Sequence, residues 1–84
     1  MATALTGNLI AYASRNYVSG LFDVIVKIYE VGTGLKIHEE IASEIGNTGV
    51  YYIYWTKLSK FSDYLVIFTS LSIDWKASKL LETK

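Results

Sequence analysis

Residues 50–55 read VYYIYW, directly after the glycine pair Gly46 and Gly49. A run of β-branched and aromatic side chains favours an extended strand. Successive side chains of a strand point to opposite faces, so both faces of this one are apolar. Of two other strand-like segments, the first has a mixed second face and the second shares the property. In FDVIVKIYEV, Phe22, Val24, Val26 and Ile28 take one face, and Asp23, Ile25, Lys27 and Tyr29 the other. In YLVIFTSLSI, Tyr64, Val66 and Phe68 oppose Leu65, Ile67, Thr69, Leu71 and Ile73. Strands of this kind belong to sheets covered on two sides.

The chain has little interior in which to hide them. Its 84 residues make one domain, and a domain of that size buries only about 60–65% of the surface its unfolded form exposes. There is no cysteine, hence no disulfide and no thiolate metal site to reinforce it. With 51% hydrophobic and 19% charged residues, some of the apolar surface is expected to meet another protein. Eight basic and eight acidic residues cancel and the lysines are scattered, so neither nucleic acid nor an anionic membrane is an expected partner. The opening MATALTGNLIAYAS has no positive charge before its apolar residues, and Thr6, Gly7 and Asn8 interrupt it. No signal peptide is expected there, and no stretch reaches the roughly 18–20 apolar residues of a membrane helix. The expected place of the chain is the cytoplasm in which it is made, or a larger assembly that carries it out.

Gly32-Thr33-Gly34 reads as a hairpin turn. LKIHEEIASEI fits helix and strand alike: Ile37, Ile41 and Ile45 are spaced by four and also alternate. Its glutamates and Ala42 favour a helix capped by Gly46-Asn47. Its position after a hairpin-length turn and before an extended segment favours a strand, which is the expectation here. SKFSD reads as a loop. The tail DWKASKLLETK reads as a strand with a frayed end, the alternative being a short helix over 75–82 capped by Asp74. Residues 1–20, where Leu9, Ala11 and Ala13 alternate with Ile10 and Tyr12, form a first strand or an extended arm laid on a neighbouring subunit, with residues 21–84 the sandwich domain. Six or seven short strands at these spacings predict a single all-β sandwich. The chain has no proline, a common guard of edge strands. Either lysines such as Lys27, Lys57 and Lys79 guard the edges, or other subunits pair with them.

Asn47-Thr48-Gly49-Val50-Tyr51 resembles the Asp/Asn-x-Gly-x-Tyr corner of immunoglobulin-like sandwiches, in which a tyrosine hydroxyl returns to the backbone of the preceding loop. Ile53 stands where antibody domains have a cysteine, which implies a disulfide-free relative. The DVIVKIYEVGTG hairpin, the GVYYIYW strand and a second tyrosine strand opening at Asp63-Tyr64 are together similar to small immunoglobulin-like or carboxypeptidase-regulatory-like modules of bacterial surface proteins and phage virion proteins. The resemblance covers roughly residues 22–80. It implies a structural virion protein, a capsid decoration or a neck or tail accessory component, whose partners are other copies of itself or another virion structural protein. Its location would be the virion, after synthesis in the host cytoplasm.

Chemistry has few candidates. His38, Glu39 and Glu40 use metal-site residue types, but adjacent carboxylates on a strand point to opposite sides and one histidine does not surround an ion. Glu39, Glu40 and Glu44 lack a calcium-loop pattern. The chain has serines but one histidine and no Gly-x-Ser-x-Gly elbow. The pairs Gly32/Gly34 and Gly46/Gly49 precede no phosphate-loop lysine. No catalytic residue, metal or cofactor is therefore expected, and the chain is not read as an enzyme.

The aromatic residues carry the functional expectation. If Tyr51, Ile53 and Trp55 face the core, then Val50, Tyr52 and Tyr54 face outward. With Ile25 and Tyr29 they form the candidate interface. A carbohydrate- or receptor-binding platform is the alternative, because tyrosine and tryptophan, here Tyr52, Tyr54, Trp55 and Trp75, also stack on sugar rings. An interface ranks first because aromatics concentrate at interface centres.

Overall fold

The structure is a computed structural model, describing residues 8–55 and 63–82. It is a β-sandwich of seven strands in two antiparallel sheets. The strands are β1 (Asn8–Ala13), β2 (Ile25–Glu30), β3 (Lys36–Ile41), β4 (Ser43–Glu44), β5 (Val50–Trp55), β6 (Asp63–Ser70) and β7 (Trp75–Glu82). One sheet has the order β1-β5-β4, the other β3-β2-β6-β7. A short 3₁₀ turn, Arg15–Tyr17, lies in the β1–β2 connection.

The two-residue period of the sequence becomes the core. Along β2, Val26 and Ile28 are buried and Ile25, Lys27 and Tyr29 are not; along β6, Tyr64, Val66, Phe68 and Ser70 are buried with half-buried residues between them. Tyr51, Ile53 and Trp55 of β5 close the core from the other sheet, joined by Ile10 of β1. The Trp55 and Tyr64 rings meet edge-on with centroids 4.9 Å apart, and Tyr12, Phe68 and Trp75 form a second aromatic group under β1.

Neither alternative helix forms. Residues 36–41 pair with β2, opening from the turn in which the Gly34 N–H donates to the Glu30 carbonyl, and residues 75–82 pair with β6 from Ser70↔Trp75 to Asp63↔Glu82. Ladder pairing overrides the helix propensity of the glutamates. Asp74 is a turn residue at φ 48°, not a helix cap. The expected single strand over 36–45 is also corrected. The chain changes sheets at Ala42, whose side chain is buried and whose N–H donates to the Val24 carbonyl, so β3 and β4 lie in opposite layers.

Of the two expectations for the first segment, the strand holds over residues 8–13, which are paired along their length with β5. Two further expectations change. Phe22 is 91% exposed instead of sharing the inward face of Val24, because β2 begins only at Ile25. Lys27 lies on a central strand, so it guards no edge, whereas Lys79 lies on edge strand β7. Lys57 and the SKFSD loop up to Ser62 lie outside the described residues, as do residues 1–7.

Candidate interaction surface

The outer face of the three-stranded sheet carries Val50, Tyr52 and Tyr54, as the alternation of β5 requires. Tyr54 is 64% exposed and is paired in register with Leu9 of β1, also exposed. The Tyr52 and Tyr54 rings meet edge-on at 5.7 Å. With Leu9, Glu44, Ile45 and Gly46 they line an open depression of about 370 Å³.

Ile25 and Tyr29 do not belong to this surface. Strands β2 and β5 lie in different sheets. Residues that face away from the core on each therefore look out from opposite sides of the sandwich. The expected strip of five residues is two patches. The second patch is the outer face of the four-stranded sheet, where Ile25 opposes Ile41 and Thr69, and Tyr29 opposes Leu65.

The expected tyrosine corner, Asn47, Gly49 and Tyr51, has a different geometry from the one its resemblance implied. The fully buried Tyr51 hydroxyl donates to the Val18 carbonyl at 2.9 Å and accepts from the Leu21 N–H at 2.9 Å. Its partners belong to the β1–β2 connection, not to the preceding turn. Gly49 sits at φ 77° against the backbone of Tyr17, where a Cβ would collide. Its carbonyl accepts from both the backbone N–H and the hydroxyl of Ser14, and its N–H donates to Glu44. Asn47 is exposed in the turn, while the Thr48 hydroxyl donates to the Ile45 carbonyl. The Gly20 and Gly49 amides, with the Ser19 hydroxyl, hold the Glu44 carboxyl below its ordinary range.

The same end of the sandwich contains residues that sequence reasoning missed. Asp23 accepts from the Ser70 hydroxyl at 2.7 Å and from the Ser72 N–H at 2.8 Å, and these contacts lower its pKa. That clasp ties the β1–β2 connection to the β6–β7 turn, and beside it Phe22 and Leu71 are each 91% exposed. Arg15 makes a second tie, to the Asp74 carbonyl at 2.7 Å. Tyr17 is held at φ 53°, uncommon for so bulky a residue, and is mostly exposed. The only available sequence signal was the tendency of aspartate and serine to satisfy loop backbone.

His38 and Glu40 share the inner face of β3 and lie 2.6 Å apart, with the imidazole 6.1 Å from the Trp55 ring. Glu39 turns to the outer face, 2.6 Å from the Lys36 ammonium. Among the described residues no group of three or more His, Cys, Asp or Glu could hold a metal ion. No protein family, curated relative or solved structure matches the chain.

Proposed function

We propose that this chain is a structural protein that acts by protein–protein assembly, as a virion component such as a capsid decoration or a neck or tail accessory. The observation that carries the assembly reading is the outer face of the three-stranded sheet, where Tyr52, Tyr54 and Leu9 stand side by side around an open depression. Covering such aromatics removes on the order of 100–200 Å² apiece from water, worth several kcal/mol in all at about 25 cal/mol per Å². That gain matters to a small domain with no disulfide. The virion setting is supported by the strand order. Among the described residues, β1-β5-β4 facing β3-β2-β6-β7 follows the B-E-D and C′-C-F-G order of immunoglobulin-type sandwiches, and such modules recur in virion proteins.

A glycan- or receptor-binding platform is the competing reading for the same aromatics. Among the described residues the one carboxylate lining the depression, Glu44, already accepts from the Gly20 and Gly49 amides. It is poorly placed to take the sugar hydroxyls that a carbohydrate site needs, which favours a protein partner. The test is Tyr52→Ala combined with Tyr54→Ala. Assembly in sedimentation experiments should weaken about 10–100-fold, while the near-ultraviolet dichroism of the buried Trp55 and Trp75 is kept. Unchanged assembly, or a glycan-array hit lost in the double variant, would overturn the reading.

A further inference from the structure

Among the described residues four strands end the two sheets: β3 and β7 in one, β1 and β4 in the other. Three of them are blunted in ways that hinder pairing with a further strand. β4 is only two residues long. β3 carries a register shift opposite Ile28/Tyr29, and its His38 and Glu40 lie opposite Ile28 and Val26 on the inner face. β7 places Lys79 opposite Val66, again on the inner face.

β1 has none of these devices. Asn8–Ala13, NLIAYA, runs six residues without a charged side chain or proline, and its register with β5 is unbroken. The direction of its backbone groups follows from the ladder. The Ser14 N–H donates to the Gly49 carbonyl, and the Val50 carbonyl accepts from Ile45 on the opposite side of β5. Bonded and non-bonded pairs alternate along an antiparallel ladder, so Ile10 and Tyr12 bond to β5 while Leu9, Ala11 and Ala13 turn their N–H and C=O groups to the open edge. Among the described residues no strand meets them.

We propose that this edge pairs with β1 of a second copy of the chain, antiparallel about a twofold axis at Ala11, joining two three-stranded sheets into one of six strands. This rests on the assembly reading and names its first contact. The register pairing Leu9 with Ala13, Ala11 with Ala11 and Ile10 with Tyr12 of the other copy uses every outward-turned backbone group of the three residues. It also keeps core-facing side chains opposite core-facing ones. No like charges meet, because the strand has none. Tyr12 is half-buried beside Phe68 and Trp75. The outer-face rows Leu9, Ala11, Ala13 and Val50, Tyr52, Tyr54 of both copies would then form one continuous apolar platform.

The test is Ala11→Pro. Proline removes an N–H that turns away from β5, so the intrachain ladder is preserved and only the edge loses its donor. Dimerisation in sedimentation equilibrium should weaken on the order of 30-fold, from one donor lost in each copy. Tyr52→Ala with Tyr54→Ala should leave the dimer step intact and weaken only the association of dimers into larger species. Amide hydrogen exchange of the unsubstituted chain supplies a readout independent of any variant. Raising the concentration should protect the Leu9, Ala11 and Ala13 amides, whereas Ile10 and Tyr12 are protected throughout. A dimer unaffected by Ala11→Pro, or amides at 9, 11 and 13 that exchange freely while larger species form, would overturn the edge pairing and leave assembly through the outer face standing. A chain that stays monomeric at every concentration would overturn both.

Discussion

Tyr51 shows how a single side chain converts a sequence pattern into tertiary structure. Its hydroxyl satisfies two backbone groups of the β1–β2 connection, one as donor and one as acceptor. Tyr51→Phe leaves both without that partner, and urea unfolding should show a loss of about 1–3 kcal/mol. An unchanged midpoint would mean that water replaces the hydroxyl. Two glycines separate backbone conformation from space. Gly34 has φ 74° with nothing near a would-be Cβ, while Gly49 has φ 77° and the Tyr17 backbone in the way. Gly34→Ala should cost about 1 kcal/mol from conformation alone, and Gly49→Ala distinctly more, about 2–4 kcal/mol. Equal losses would contradict the packing of the β4–β5 turn. Acid should act through Asp23 and Glu44. Hydrogen bonds lower both pKa values in the folded chain, so folding favours the ionised forms. Their contribution is fully present above the ordinary values of 3.8 and 4.5 and is lost as pH falls through the lower folded values. Asp23→Asn and Glu44→Gln should each flatten the fall of the urea midpoint below about pH 5; slopes matching the unsubstituted chain would sink this assignment.

Among the elements, β2, β5 and β6 were legible because a two-residue period with large apolar side chains has only one common reading. Tyr51, Ile53 and Trp55 point inward and Tyr54 outward as that period requires. Phe22 was misplaced by the same reasoning, since alternation cannot say where a strand begins. The change of sheet at Ala42 was also hidden. A small buried residue between two short strands leaves no periodic mark, and local spacing does not record which sheet a strand joins. That limit split the expected interface. Tyr29 and Tyr52 are both outward-facing tyrosines, but the partners of β2 and β5 place them on opposite sides. The core of β6 gives the element-scale prediction. Phe68 is fully buried among Tyr12, Trp75 and the inner face of β2, so Phe68→Ala should cost about 3–5 kcal/mol. Ile67→Ala, on the half-buried outer face, should cost clearly less, and comparable losses would contradict the two-layer assignment.

At the scale of the whole molecule, two sheets cover each other's inner faces and leave two apolar outer faces. One face holds Tyr52, Tyr54 and Leu9, and the other holds Ile25, Ile41 and Leu80. Composition anticipated this excess, since 84 residues with 51% hydrophobic side chains exceed what one small core can bury. The open β1 edge was not legible, because it depends on which strands end each sheet. Sedimentation equilibrium of the unsubstituted chain across a wide concentration range tests the central claim most directly. The weight-average mass should rise with concentration from that of one chain to twice that value and beyond. A mass fixed at one chain throughout would contradict it.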